Sequence, residues 1–191
     1  MKNILLASGS PRRKELVSLL PWSFKVCVKE VEEKIDLREP AWENVKNLAL
    51  QKAQAVAQEH PDKWVIGADT VVCYENHILG KPKDEKDAYE MLKMLSGKMH
   101  KVYTGVAIVH QGKGYAKTFY EETKVAMQEL TDKEINEYIS TKEPLDKAGA
   151  YGIQGFGARY IVGIEGDYFN VVGLPVHAVY TQLLKQLEEN G

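Results

Sequence analysis

The chain has 191 residues, of which 44% are hydrophobic and 27% are charged, and its formal net charge is −2. These values are typical of a globular protein and argue against broad, non-specific binding of nucleic acid, which needs a basic surface. No apolar run approaches the roughly 20 residues of a membrane-spanning helix. The first ten residues, MKNILLASGS, turn polar too early for an export signal. The two cysteines, Cys27 and Cys73, have neither metal-binding nor redox spacing. We therefore expect a cytoplasmic protein with neither nucleic acid nor a membrane as its partner.

Helices and strands are predicted to alternate along the chain, beginning with a buried strand at Ile4–Ala7. Ser10 is a good helix N-cap and Pro11 suits the first helical position, so a helix follows directly. The rest of the first half predicts a strand over Phe24–Val28, a charged stretch over Lys29–Arg38, a helix from about Pro40 to Gln58 and a strand over Trp64–Tyr74.

The second half begins with a helix that Asp84 and Asp87 cap and that ends at Ser96-Gly97. A hairpin of strands over 101–110 and 115–128 is predicted next, followed by a helix from the Thr131–Glu134 capping box to about Thr141. A glycine-rich passage over 148–157 leads to a strand pair at Ile161–Ile164 and Tyr168–Val172. The last predicted element is a helix from about Pro175. The pattern predicts an α/β fold in one domain over residues 1–191, with a long, bent mixed sheet.

The stretch Ser8-Gly-Ser10, with Arg12 and Arg13 directly behind it, has the composition of a phosphate site. Backbone N–H groups at the mouth of a helix can cradle an anion, and arginine side chains can neutralise it. Positive charge in the first turn runs against the helix dipole, which an anionic ligand would explain. The alternative is a capped helix with two solvated arginines, and this stretch alone does not decide between them.

Lys52 and Asp69 are the next candidates for chemistry. Lys52 lies within the apolar stripe of its predicted helix, so its charge either extends to solvent or is held in a pocket by an anionic ligand. Asp69 ends the apolar run at residues 65–68, and an aspartate at a strand end can be a metal ligand, a general base or a turn former.

Two further charged positions accompany them. Lys81 is predicted in a loop just after the Asp69 strand, where it could face the same cleft. Glu33 ends an acidic cluster with Glu30 and Glu32, which alternatively forms a solvated loop. The common nucleotide motifs G-x-x-x-x-G-K-[ST] and G-x-G-x-x-G do not occur, and the histidines have no ligand spacing. Together, these cations and carboxylates suit phosphoryl chemistry with a divalent cation.

Seven motifs in order carry a resemblance to a known family: Ser8-Gly-Ser-Pro-Arg-Arg13, Glu32-Glu33, Gln51-Lys52-Ala53, Ile66-Gly-Ala-Asp-Thr70, Gly80-Lys-Pro82, Leu95-Ser-Gly97 and Asp146-Lys-Ala-Gly-Ala-Tyr-Gly-Ile-Gln-Gly155. They closely resemble the Maf family of nucleoside triphosphate pyrophosphatases, from about residue 6 to 175. The resemblance implies a two-lobed α/β fold of the Maf/ITPase type around an elongated mixed sheet, with the nucleotide in a cleft between lobes. It also implies a reaction that releases the monophosphate and pyrophosphate with a divalent metal, Mg²⁺ or Mn²⁺.

The resemblance also implies roles for individual residues. Asp69 resembles the catalytic proton acceptor, and with Glu33 it resembles the metal-binding pair. The phosphate-binding set is implied to be Ser8, Arg13, Lys52 and Lys81.

The substrate branch follows from three more matching positions, Arg12, Thr70 and Gln154, which are similar to those of the dTTP/UTP branch. The 7-methyl-GTP branch differs at these positions and is the alternative substrate class. A second alternative is a nucleotide-sensing regulator of cell division without turnover, and a third is a structural protein whose motifs serve only packing. The resemblance further implies a homodimer.

Overall fold

A computed structural model describes residues 4–189 of the chain. Its strands are β1 (Ile4–Leu6), β2 (Phe24–Val26), β3 (Trp64–Tyr74), β4 (His77–Leu79), β5 (Met99–His110), β6 (Tyr115–Met127) and β7 (Ile161–Glu165). Its α-helices are α1 (Pro11–Val17), α2 (Ala41–Ala57), α3 (Glu85–Leu95), α4 (Asp132–Ser140), α5 (Tyr168–Val172) and α6 (Val176–Glu189). Short 3₁₀ segments cover Gln111–Lys113, Glu143–Asp146, Ala148–Ala150 and Gly155–Tyr160.

The strands form one mixed sheet in the order β2-β1-β3-β5-β6-β7, with β4 paired to β3 off this path. Strand β1 is parallel to both of its neighbours, so Leu5 lies opposite Lys25 on one side and Val65 on the other. The pairs β3–β4 and β6–β7 are antiparallel. The predicted α/β class and mixed sheet are thereby confirmed.

The chain divides into two compact units, each with its own apolar core. The first comprises the described parts of Met1–Asp69, Thr104–Glu121 and Gly173–Gly191, and the second comprises Thr70–Tyr103 and Glu122–Val172. In the first unit, the alanine-rich face of α2 packs on β1, β3 and β5. In the second, apolar side chains of α3 and α4 share one buried cluster. A single two-lobed domain over residues 1–191 stays a prediction, as does a nucleotide cleft between its lobes.

The predicted helix starts are confirmed at the level of individual caps. The Ser10 hydroxyl accepts a hydrogen bond from the Arg13 N–H at 3.4 Å, and Pro11 is the first residue of α1. The Asp84 carboxylate accepts from the Asp87 N–H at 2.8 Å at the start of α3. Thr131 and Glu134 form a reciprocal capping box at the start of α4. Each cap satisfies backbone donors that the first helical turn leaves without partners.

The prediction of a second strand at Tyr168–Val172 is wrong, because these residues form helix α5. The Asp167 carboxylate accepts a hydrogen bond from the Phe169 N–H at 2.8 Å, a local turn that starts a helix instead of a hairpin. The buried Asn170 amide donates to the Val102 carbonyl and the Thr123 hydroxyl. Strand β7 finds its partner in β6 instead.

Asp69 does not lie at a strand end, as the apolar run suggested, but in the middle of β3. The strand continues to Tyr74 because Val71 and Val72 are buried and because residues 72–74 pair with the short strand β4. β4 lies between Asp69 and Lys81, so the loop of Lys81 begins later than expected. Strand β2 is also shorter than predicted and ends at Val26.

No helix within residues 4–189 is both long enough and apolar enough to cross a membrane. The expectation about an export signal concerns residues 1–10, of which residues 1–3 lie outside the described part of the chain.

Candidate functional site

Helix α2 lies directly against β3 at Gly67. A Cβ atom on Gly67 would lie 2.2 Å from the Ala49 carbonyl oxygen and 2.9 Å from the Ala53 Cβ, so only glycine permits this approach. Side chains two residues apart in a strand share a face, so Asp69 projects toward the same helix as Gly67. Lys52, the residue before Ala53, is the helix side chain that meets it.

The Lys52 ammonium contacts two carboxylates at once. Its Nζ lies 2.7 Å from Asp69 Oδ1 and 2.9 Å from Glu33 Oε1. The Lys52 and Asp69 side chains are only 15% and 12% exposed, whereas Glu33 is 55% exposed. A charge in such a sheltered position needs a partner, and the carboxylates supply it. The cluster therefore joins a lysine from α2, an aspartate from β3 and a glutamate from the segment before α2.

The segment that carries Glu33 is anchored by Asn44, a residue that sequence reasoning missed. Asn44 is 3% exposed, its Oδ1 accepts from the Asp36 N–H at 2.7 Å, and its amide donates to the carbonyls of Asp36 and Glu39 at 2.9 and 3.1 Å. The Gln51 amide donates to the Glu32 carbonyl at 3.2 Å. Both anchors are side chains of α2, so one helix positions Lys52 and the segment of Glu33. A polar residue within the apolar stripe of the helix was the available signal for Asn44.

Ser8 and Arg13 lie together at the start of α1. The Arg13 guanidinium donates to the Ser8 hydroxyl at 3.3 Å and to the Gly173 carbonyl at 2.8 Å, and Ser8 is 7% exposed. Burial lowers the pKa of Arg13, while the negative charges of Asp69 and Glu33 act to raise it. Arg13 therefore belongs to the same electrostatic cluster as Asp69 and Glu33. The neighbouring Arg12 is a like charge that also acts to lower the pKa of Arg13.

Lys81 and Thr70 belong to the second unit. Lys81 is exposed, and its loop is fixed because the carbonyl of Gly80 accepts a hydrogen bond from the Gly149 N–H at 3.0 Å. Thr70 is partly buried and follows Asp69 directly in β3.

Gln154, the remaining predicted residue, is exposed on the glycine-rich loop of the second unit. Two side chains that sequence reasoning missed hold this loop, Glu143 and Tyr138. The Glu143 carboxylate accepts from two loop N–H groups, and the Tyr138 hydroxyl accepts from a third. A glutamate five residues before the glycine-rich passage was the available sequence signal for this arrangement.

The carboxylates of Glu33 and Asp69 suit a divalent cation. Both contact one nitrogen atom, so their oxygens lie close to each other. Mg²⁺ is commonly bound by one or two carboxylates together with water and substrate phosphates. Within residues 4–189, no group of three or more acidic, histidine or cysteine side chains is placed to hold a metal ion. Glu33 and Asp69 match the one or two carboxylates of such a magnesium site.

The protein is of the α/β class, with a mixed sheet, a lysine–carboxylate cluster on α2 and β3, and two arginines at the start of α1. The chain matches the family model described as Maf-like protein over residues 3–187, and it belongs to the Maf family. A dTTP/UTP pyrophosphatase of Bacillus cytotoxicus is 56% identical over 191 residues, which cover 100% of this chain and 98% of the relative. A dTTP/UTP pyrophosphatase of Bacillus cereus (strain G9842) is 55% identical over 183 residues, which cover 96% and 95% of the two chains.

A solved structure shows the same fold at much lower sequence identity. A HAM1 protein from Coxiella burnetii superposes with a TM-score of 0.57 at 16% identity, over 97% of this chain and 100% of the other. At this identity the likeness concerns the fold alone.

Proposed function

We propose that this chain hydrolyses dTTP and UTP to the nucleoside monophosphate and pyrophosphate, with Asp69 as the proton acceptor. The observation that carries the proposal is the contact of one ammonium, that of Lys52, with both Asp69 and Glu33. It supplies a carboxylate base, a second acidic ligand and a cation for phosphate in one cluster. Relatives that cover nearly the whole chain are named for these two pyrimidine substrates, which supports the choice of nucleotide.

In the proposed reaction, a water oxygen bonds to phosphorus while an anhydride P–O bond breaks and its electron pair leaves with pyrophosphate. Asp69 takes the proton that the water loses. Ser8, Arg13 and Lys52 bind the phosphate oxygens, and Lys81 is the fourth member of this set. Their positive charges and hydrogen bonds offset the negative charge that moves to the leaving group.

We further propose that Glu33 and Asp69 hold the divalent cation, Mg²⁺ or Mn²⁺. When bound, such a cation neutralises phosphate charge and polarises the P–O bond under attack. Two carboxylates that share one ammonium partner support this assignment.

Base recognition is assigned to Arg12, Thr70 and Gln154. A glutamine amide presents a donor and an acceptor side by side, which matches the O4 and N3–H edge of uracil or thymine. The exposure of Gln154 on its loop leaves this amide accessible to a ligand.

Pyrophosphate release tests the proposal. The wild type is incubated with dTTP, UTP or 7-methyl-GTP and with Mg²⁺, Mn²⁺ or EDTA, beside Asp69→Asn and the control Asp62→Asn, whose aspartate forms an exposed ion pair with Lys63. We expect metal-dependent release of pyrophosphate from dTTP and UTP. Asp69→Asn should lower the rate of release about 10²- to 10⁴-fold, whereas the control Asp62→Asn should keep the wild-type rate. Preference for 7-methyl-GTP would contradict the substrate class. Binding without release would indicate a regulator.

We also propose a cytoplasmic location, where nucleoside triphosphates are available, and a homodimer. Cell fractionation tests the location. Light scattering of the purified chain measures its mass, and a monomer would contradict the proposed dimer.

A further inference from the structure

We infer that Glu143 is a positioning residue that fixes the loop over residues 151–157 and thereby sets the orientation of Gln154 toward the base. The inference rests on the proposed function, because it takes Gln154 as the residue that recognises pyrimidines. Glu143 lies outside the motif that carries Gln154, and its hydrogen bonds to the loop determine how precisely Gln154 is held.

Glu143 collects three hydrogen bonds from around the loop. Its Oε2 accepts from the Phe156 N–H at 2.8 Å, and its Oε1 accepts from the Gly157 N–H at 3.0 Å. The Tyr138 hydroxyl donates to Oε1 at 2.8 Å and itself accepts from the Gly152 N–H at 3.1 Å. One tyrosine–glutamate pair therefore holds the backbone on both sides of Gln154, which lies two residues from Gly152 and two from Phe156.

The loop sequence allows this close approach. Gly155 has a φ of +68°, and a Cβ there would lie 2.4 Å from Glu143 Oε2. A residue with a side chain would therefore be both strained and in collision with the carboxylate. On the other side, Tyr138 is fully buried in the core of the second unit, which gives the pair a rigid support.

The carboxylate form of Glu143 is the form that the loop stabilises. Burial acts to raise the pKa of Glu143, but hydrogen bonds from Phe156, Gly157 and Tyr138 act the other way, and the pKa lies below its ordinary value. Hydrogen bonds to an ionised acceptor are shorter and stronger than those between neutral groups. A carboxylate can accept from both loop N–H groups, whereas an amide must turn a donor toward one of them.

The substitution Glu143→Gln follows from this difference. The side chain keeps its size, but one of the two backbone N–H groups loses its acceptor and faces a donor instead. The loop then samples other conformations, so the nucleotide must order the loop and Gln154 when it binds. This ordering costs free energy and weakens binding. Contacts of this kind act on ground state and transition state alike, so their loss raises KM and leaves kcat nearly unchanged.

The test measures base preference and loop order in the same variants. Steady-state kinetics with dTTP, UTP and GTP are combined with hydrogen exchange of the peptide over residues 151–157. Both are measured in the wild type, in Glu143→Gln and in the control Glu165→Gln. The control breaks an exposed ion pair with Lys124 in the same unit. For Glu143→Gln we expect exchange about tenfold faster, KM for dTTP about tenfold higher, kcat within about twofold, and a preference for dTTP over GTP about tenfold lower. Glu165→Gln should match wild type. Tyr138→Phe should change the same quantities in the same direction and serves if Glu143→Gln does not fold.

Two results would overturn the inference: unchanged loop exchange, or an unchanged base preference. An equal loss with every nucleotide leaves the preference unchanged and would mean that Glu143 is merely structural. If the wild type releases no pyrophosphate, the proposed function fails, and binding of the α,β-methylene analogues of dTTP and GTP then decides the role of Glu143. A wild type without preference between the analogues, or a Glu143→Gln variant that keeps the preference, overturns it.

Discussion

The ammonium of Lys52 lies 2.7 Å from the carboxylate of Asp69, although the first belongs to the apolar face of α2 and the second to a buried stretch of β3. The two charges compensate each other, and the ammonium has a second anionic partner in Glu33, whose oxygen lies 2.9 Å from the same nitrogen. In the proposed reaction, a phosphate that binds Lys52 competes with Asp69 for the ammonium. Substrate binding would thus free a carboxylate oxygen for the proton of the attacking water.

Replacement of Lys52 by methionine tests the cation of this cluster. Lys52→Met keeps an unbranched side chain but removes the ammonium, which leaves two carboxylates without their shared partner. Phosphate binding is weakened, and the negative charges of the site are no longer compensated. We expect kcat/KM for dTTP to fall about 100-fold, which corresponds to about 2.7 kcal/mol of lost transition-state stabilisation. Steady-state pyrophosphate release measures it. The matched control is Lys63→Met, which removes an exposed ion pair with Asp62 and should retain full activity.

Gly67→Ala tests whether the approach of α2 to β3 sets the cluster geometry. The added Cβ would lie 2.2 Å from a backbone oxygen, so the helix must move away from the strand. Overpacking of this kind destabilises by about 1–3 kcal/mol and should separate Lys52 from Asp69, which lowers activity as well. Urea unfolding and pyrophosphate release measure the two effects. At Gly163 in β7 nothing lies within 4 Å of an added Cβ, so Gly163→Ala is the control, and an equal loss there would contradict the explanation.

The pH dependence of stability should contain a contribution from His100. Burial lowers the pKa of His100 to about 4, and its Nε2 lies 2.7 Å from the Tyr151 hydroxyl. Between its ordinary pKa of 6.5 and about 4, the imidazole takes up a proton in the unfolded chain but not in the folded one. Stability is therefore fully present above pH 6.5 and falls as the pH drops through this window.

We expect His100 to contribute about 2 kcal/mol to the loss of stability between about pH 7.5 and 5.0. Denaturant unfolding at the two pH values measures it. The loss should be smaller in His100→Gln, whatever the stability of that variant at neutral pH, and unchanged in the control His177→Gln, at an exposed position on α6. An identical loss in wild type and His100→Gln would exclude this assignment.

Gln154→Glu tests the residue that is proposed to read the base. A carboxylate only accepts hydrogen bonds, so it faces the O4 of the pyrimidine with a like partial charge. We expect kcat/KM for dTTP and UTP to fall at least about tenfold relative to GTP, with little change in stability because the side chain is exposed. The same substitution at the exposed Gln54 of α2 should alter neither quantity. A variant that keeps the wild-type preference would show that Gln154 does not read the base.

Local rules predicted the parts of the fold that depend on neighbouring residues. Ser10, Asp84 and Thr131 cap their helices as expected, since a cap requires only a side-chain oxygen two or three residues before its donor. The error at residues 168–172 arose because the apolar residues there fit either structure, and the deciding contact was a hydrogen bond from a backbone N–H to Asp167. The pattern of apolar and polar residues in a sequence does not reveal hydrogen bonds between a backbone N–H and a side chain.

The candidate site was less predictable than the elements that carry it. Family motifs pointed to Glu33, Lys52 and Asp69, but the contact between them depends on how closely two elements pack, which Gly67 decides. The supports of the site were missed because their partners are backbone groups. Asn44 and Glu143 satisfy N–H and C=O groups of irregular segments, and these positions become visible only when the chain is folded.

The close packing of α2 against Gly67 affects how the side chain of Lys52 can move. The helix backbone touches the strand at this point and again at Gly105 of β5, where an added Cβ would lie 2.3 Å from the Val45 carbonyl. Two such points of contact leave no room for the helix to move closer to the sheet. With the helix in this position, the ammonium changes partners by rotation about the four bonds of its own aliphatic side chain, so the length of that side chain limits where a phosphate can be held.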